Sequence, residues 1–270
     1  MNRILIPSDF SSNARHAAHY AISVFGLESE YTIFHSFEVP HSGATMLISI
    51  ADILQKDADM LLNSEQSRLR AQFPGLKLKA TSVMGHPIGA IKKHTQKEGI
   101  DVVVMGTKGA TGLKGVLIGS VAANTMAELK CPVLAVPEST TLHSPKKILL
   151  AADDQCLSEG RLPAELAELA NSWKAEVLIL NVVKPNEMKY VGNAVGEDRK
   201  PVGVFENVKH SIHFVADAEV NNGIQSFMKD HKVDLLAMIS RKHDLISNLF
   251  GLSNTKGMMQ TATLPIMAFH

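Results

Sequence analysis

The sequence predicts an α/β protein of two similar halves, each a five-stranded parallel sheet with helices on both faces. Three observations predict it. Short apolar runs alternate with helical segments along the chain, the pattern of strands that crossover helices bury on both faces. The chain also repeats itself. Residues 3–9 (Arg-Ile-Leu-Ile-Pro-Ser-Asp) correspond to 147–153 (Lys-Ile-Leu-Leu-Ala-Ala-Asp) at an offset of 144, and residues 100–105 correspond to 233–238 at an offset of 133. Finally, a glycine-rich segment, 106–120, follows an apolar run at 102–105 and leads into a helical stretch from Val121. Strand, glycine loop, helix start is the local grammar of this fold class.

The elements of the first half follow in order. Strands are expected near 3–7, 31–37, 76–83, 101–105 and 132–136, with helices near 12–25, 43–72, 87–98 and 119–129. Ser11 or Ser12 can cap the first helix, because a hydroxyl accepts from an unpaired N–H of the first turn. His86-Pro87 marks the start of the third, since proline is tolerated at the first helical position. A polar linker over 138–145, ending in Pro145, separates domains expected at 1–138 and 146–270. The change of offset from 144 to 133 makes the second half 11 residues shorter between its first and fourth strands. The shortening falls over 184–209, rich in Lys, Asn, Gly and Pro, where a loop or a shortened helix is expected.

Bulk properties narrow the function. The chain has 270 residues, 45% hydrophobic and 20% charged, with a formal net charge of zero. No overall charge attracts nucleic acid or an anionic membrane, so neither is expected as a partner. No apolar stretch reaches the length of a bilayer-spanning helix. The N-terminus enters a strand at once and lacks a signal-peptide pattern, which makes cytoplasmic the expected location. Two cysteines, Cys131 and Cys156, make no disulfide framework. Twelve histidines do not form a metal set: His210 and His213 fall on opposite faces of a strand, and His16 and His19 lack further ligands. No Ser-His-Asp set can be assembled from the spacing, and no catalytic residue is assigned.

The glycine loop carries the most specific signal. Glycines let backbone approach an anion, and free N–H groups at a helix start face it. The loop fits neither G-x-x-x-x-G-K-[ST] nor G-x-G-x-x-G, since its glycines fall at 106, 109, 112, 115 and 119. The spacing is Gly106, two residues, Gly109, nine residues, then Gly119-Ser120. Lys108 and Lys114 read as solvated loop lysines. In an open parallel sheet, ligands bind beyond the carboxyl ends of the strands at the switch point, and Asp9 and Gly106 both lie at that edge.

That spacing resembles the ATP-binding signature of the universal stress protein family. The likeness extends to residues 101–106 before the loop, 131–136 after it, and 4–11 at the first strand. The resemblance implies two adenine-nucleotide alpha-hydrolase-like domains, of the flavodoxin-like or Rossmann-like kind. It implies that ATP, with Mg as a candidate companion, contacts Pro7, Ser8, Asp9, Ser36, Met105, Gly106, Gly109, Gly119, Ser120 and Val121. Asp9 would hydrogen-bond the adenine or ribose. Ser36 stands where the family usually has an aliphatic residue. Adjacent family domains often associate through the edge strand that ends each half, which implies an intrachain pseudo-dimer and leaves a homodimer open. A nucleotide-binding stress-response sensor or signalling protein is the leading expectation.

In the second half, the counterparts of Gly106, Gly109 and Gly119 are Ile239, Lys242 and Leu252. Side chains stand where backbone would approach phosphate, so no nucleotide is expected there, although Asp153 and Ser253 persist. Two other functions compete. A slow ATP hydrolase or phosphotransferase needs a metal-holding carboxylate and a group that orients the nucleophile; the sequence offers Asp9 and, less directly, Asp101, and no base. A nucleotide-free protein-interaction module is opposed by the retained glycines.

Overall fold

The computed structural model of this chain describes residues 2–39, 44–109, 118–186, 203–239 and 264–270, the side chains of 44–49 excepted. The chain divides into two compact units, Met1–Leu142 and His143–His270.

The first unit contains β1 (Arg3–Pro7), α1 (Ser12–Phe25), β2 (Glu30–Phe37), α2 (Ala44–Gln72), β3 (Lys77–Met84), α3 (Pro87–Glu98), β4 (Val102–Gly106), α4 (Ser120–Glu128) and β5 (Val133–Val136). Its strands lie in the order β3-β2-β1-β4-β5, with every pair parallel. The central strands are apolar because both of their faces are covered. Ile4, Leu5, Ile6, Val103 and Val104 are fully buried, and each contributes about 1.5–3 kcal/mol of hydrophobic stabilisation. Connections after β1 go to one side of the sheet order and those after β4 to the other. Crossovers on the two sides therefore leave a crevice at the carboxyl ends of β1 and β4.

Local chemistry sets the element ends. Ser11 caps α1, its Oγ accepting from Ala14 N at 3.2 Å. Pro87 opens α3 behind His86, whose side chain makes no capping bond. At the amino edge of the sheet, Asp101 Oδ2 accepts from Arg3 N at 2.7 Å. Asp101 therefore sits at the opposite end of the strands from the glycine loop and is no carboxylate for that site. Its bond to Arg3 ties β4 to β1.

The second unit contains β6 (Lys147–Ala151), α5 (Asp154–Ser158), α6 (Ala164–Trp173), β7 (Glu176–Val183), β8 (His210–Ala216), α7 (Val220–His231), β9 (Leu235–Ile239) and β10 (Ile266–Phe269). A 3-10 turn at Gly203–Phe205 precedes β8. The order β10-β9-β6-β7-β8 places its first, second, third, fourth and fifth strands as in the first unit, again all parallel. Asp234 repeats the role of Asp101, its Oδ2 accepting from Lys146 N and Lys147 N at 2.9 Å each. The helical path after β6 is split, with Pro163 at the N-cap of α6. Residues 187–202, most of the segment expected to be a loop or shortened helix, lie outside the described residues, as does the 240–253 stretch carrying Lys242, Leu252 and Ser253. Among the described residues, no helix is long and apolar enough to cross a membrane.

Three imidazoles are held below their ordinary value of 6.5, in each case chiefly by burial. Arg68 adds to the effect at His19 and His231 adds to it at His213, while at His94 Glu98 partly offsets it. Below pH 6.5 the unfolded chain binds protons that these folded imidazoles resist, so stability rises with pH across that range and is lost on acidification. Urea unfolding between pH 7.5 and pH 5.5 (about one unit either side of the ordinary value) is expected to show the midpoint falling with pH. His94→Gln should flatten that slope.

Candidate functional site

Three segments converge at the carboxyl edge of the first sheet. The end of β1 is held beside β2 by Ser8 N donating to Phe34 O at 2.8 Å. The chain then turns sharply. Phe10 adopts φ 63°, a left-handed backbone that is rare and costly for a bulky residue. Ser8 Oγ accepts from Phe10 N at 3.1 Å and Asp9 Oδ1 accepts from Ser11 N at 3.1 Å. These two bonds hold the strained turn and bring the Asp9 carboxylate over the sheet edge.

The second segment is the end of β4 and the start of the glycine loop. Thr107, only 3% exposed, donates its N–H to Val136 O at 3.1 Å. Asn13, on the first turn of α1 and 4% exposed, links this corner to the helix. Its Nδ2 donates to Val136 O at 3.0 Å and its Oδ1 accepts from Lys108 N at 2.7 Å. A β-carbon on Gly106 would lie 2.7 Å from Asn13 Oδ1, and one on Gly109 would lie 2.8 Å from Asp9 Oδ2. Gly106 is thus required by a buried amide, while Gly109 leaves room for the Asp9 carboxylate.

The third segment is the start of α4. Gly119 is its N-cap and donates its own N–H to Thr107 O at 2.6 Å. Its donor is thus used to close the loop and does not face the cleft as a free N–H. The first intrahelical bond runs from Ala123 N to Gly119 O. Helix geometry leaves the N–H groups of Ser120, Val121 and Ala122 without intrahelical acceptors, at the positive end of the helix dipole. Among the described residues, a β-carbon on Gly119 meets only Thr107 O, at 3.4 Å in ordinary contact.

These segments enclose a cleft of about 190 Å³. Pro7, Ser8, Asp9, Ser36, Met105, Gly106, Gly109, Gly119, Ser120 and Val121 all line it. Residues 110–117, including Lys114, lie outside the described residues; Lys108 lines the cleft and is exposed. The cleft has two chemical ends. Glycines and helix N–H groups form one, suited to an anion. Phe34, Pro87 and Ile91 add apolar surface, suited to a flat ring.

Sequence reasoning missed Asn13 and His35. Asn13 faces inward on a helix whose other inward residues include Ala17, Ala21 and Val24; a polar residue on that buried face was the readable signal. His35 Nδ1 lies 2.7 Å from Ser8 O, and its ring centroid is 4.6 Å from that of Phe10. A carbonyl can only accept, so Nδ1 is the donor in this contact. No signal in the sequence distinguished it from other histidines. Among the described residues, no group of three or more His, Cys, Asp or Glu is arranged to hold a metal ion. Burial pushes the Cys131 thiol up to about 11, so it is not a nucleophile at neutral pH.

Repeated strand order and a crevice at the switch point define a tandem α/β protein of the Rossmann-like class. The profile of the universal stress protein family matches residues 1–137 and again 145–270. The chain belongs to that family, as a member with two domains in tandem. It is similar to universal stress protein MJ0531 of Methanocaldococcus jannaschii, 31% identical over 141 residues, covering 50% of this chain and 81% of the relative. It is also similar to universal stress protein MJ0577 of the same organism, 29% identical over 152 residues, covering 50% of this chain and 93% of the relative. The crystal structure of a universal stress protein from Archaeoglobus fulgidus shares the fold along the whole chain. Its TM-score is 0.70 at 18% identity, covering 99% of this chain and 98% of that one.

Removing the Asn13 amide leaves the part-buried Lys108 N without its partner, a loss of about 1 kcal/mol. Thermal unfolding should show Asn13→Ala and Gly106→Ala each well below the wild type. Gly119→Ala, which meets no close contact, should fall by less than either.

Proposed function

We propose that this chain is an ATP-binding stress-response sensor or signalling protein whose nucleotide sits in the first unit. The single observation that carries the reading is the meeting of Asp9, Gly106, Gly109 and the uncapped first turn of α4 around one cleft. The glycine end suits phosphate: backbone comes close where side chains are missing, and three helix N–H groups aim their dipoles outward. The family signature in the loop supports adenine nucleotide as the ligand. Base and ribose lie toward Phe34, Ser36, Pro87 and Ile91 in this reading, with Asp9 between the two ends. The cleft is below the roughly 300 Å³ common for enclosed ligand sites, so the phosphates extend along its open glycine rim. Asp9 supplies the one carboxylate among the described lining residues, and a magnesium ion on the phosphates would draw on it.

Bound nucleotide acts here as a signal rather than a substrate. Its bound phosphates change the surface at the glycine rim that a protein partner meets. The second unit, in which Ile239, Lys242 and Leu252 replace the three signature glycines, is read as a pseudo-dimer partner that holds no ATP.

The test is mass spectrometry of small molecules released on denaturation, with ATP titration calorimetry of wild type and Gly119→Val. One adenine nucleotide per chain in the wild type is the expected result. Gly119→Val should bind more than about tenfold more weakly, a loss of about 1.4 kcal/mol or more. As an N-cap change it costs about 1 kcal/mol of stability, short of unfolding the domain. Phosphate release measured on the same samples separates sensor from hydrolase. No nucleotide by either method at millimolar ATP would overturn the proposal in favour of a protein-interaction module.

A further inference from the structure

A second cavity in the first unit lies apart from the cleft described above. It is a groove of about 1050 Å³ between α3 and the edge strand β3. Strand register explains it. Glu30, Thr32, Phe34 and Ser36 of β2 share a face with Lys77, Lys79, Thr81 and Val83 of β3. α3 covers the β2 part of that face, where His94 packs its ring against Phe34 at 4.9 Å. The β3 part forms the floor of the groove. Along its wall, His86, Gly89, Lys93 and Lys97 follow one stripe of the α3 helix at spacings of three and four.

Charge in this groove is one-sided. Arg3, Arg70, Lys77, Lys79, Lys93 and Lys97 line it, against Glu30 and Glu98 alone. Several of the cations are engaged. Arg3 Nη1 donates to Glu98 O at 2.7 Å, Arg70 Nη2 donates to Leu78 O at 2.8 Å, Lys97 pairs with Glu98, and Lys77 pairs with Glu28. Lys79 and Lys93 have no ion pair or hydrogen bond among the described residues. Lys79 stands on the floor of the groove and Lys93 on its α3 wall. A chain with no net charge thus concentrates positive charge along one furrow.

We propose that this groove binds an extended acidic segment of a partner protein. Alternate residues of a strand lie about 6.5–7 Å apart, so Lys77 and Lys79 match carboxylates at every second position of an extended peptide. Lys93 and Lys97, one helical turn apart, face the same ligand from the α3 wall. At the carboxyl end of β3, Val83 and the 61% exposed Met84 add apolar surface beside the lysines. The segment that fits has alternating Glu or Asp and a hydrophobic residue at one end. It does not add as a strand, because Leu78 O at the outer edge already accepts from Gln66 and Arg70 of α2. A single-stranded nucleic acid fits less well: Tyr31, the one phenol ring in the lining, is 1% exposed and offers no stacking platform. The inference stands independently of nucleotide binding.

Fluorescence anisotropy tests it with a labelled decapeptide of alternating Glu and Ser ending in Leu, its Gln-for-Glu counterpart, and an oligothymidylate of equal length. The acidic peptide is expected to bind at low salt, and to weaken as the Debye length shortens from about 30 Å toward 8 Å. The Lys79→Glu/Lys93→Glu double variant should lose more than tenfold in affinity, while Lys229→Glu, an exposed control in the second unit, should not change it. Thermal unfolding of the double variant confirms that both substitutions leave the fold intact. Failure of the acidic peptide to bind, equal binding by the Gln peptide, or unchanged affinity in the double variant would overturn the proposal. Tighter binding of the oligothymidylate than of the acidic peptide would also overturn it.

Discussion

Asn13 is buried on the first turn of α1, and its amide meets its hydrogen-bonding demand from two other parts of the chain at once. The Oδ1 atom takes the N–H of Lys108 and the Nδ2 atom reaches Val136 O at the end of β5. An unpaired amide in that position would cost more than a typical hydrogen bond contributes, so the arrangement is all or nothing. Much at the carboxyl edge of the first sheet follows from it. Residue 106 must be glycine because the amide occupies the space of a β-carbon. Thr107 is held against Val136, and its carbonyl then receives Gly119 N, which closes the base of the loop and aims α4. The proposed anion site is therefore built around a side chain that does not itself line the cleft.

The two halves keep the scaffold and change its use. Asp101 and Asp234 do the same work at the amino edge, each accepting from the backbone N–H of the first strand of its unit. At the carboxyl edge they diverge. In the first half Ser11 caps the helix and Asp9 reaches toward Gly109. In the second, Asp153 is itself the N-cap, accepting from Cys156 N at 2.7 Å. An aspartate bound to a helix start in this way serves the fold directly.

Net charge and local charge are separate quantities, and the groove beside β3 shows why. Lys77 and Lys79 lie on one element and Lys93 and Lys97 on another, and no run in the sequence is longer than Lys92-Lys93. A period of two on a strand and of nearly four on a helix gathers them along one groove. Zero net charge bears on solubility and long-range steering; it does not bear on what a furrow a few residues wide attracts.

Most of the scaffold was legible in the sequence. The apolar runs at 3–7 and 102–105 read as strands because burial on both faces demands continuous apolar side chains, and the repeat made the second unit readable from the first. The glycine spacing and Asp9 pointed to one edge of one sheet because the switch point is a property of strand order. The sequence by itself determined family, repeat and the segments that meet at the site. Tertiary structure decided which groups remain available there. Gly119 spends its N–H within the loop, Asp101 belongs to the other edge, Asn13 anchors the corner, and His35 donates through Nδ1 to Ser8 O. Those outcomes depend on hydrogen bonds between residues as much as 123 positions apart. Side-chain spacing along a chain cannot report such pairs; only the packed sheet brings donor and acceptor together.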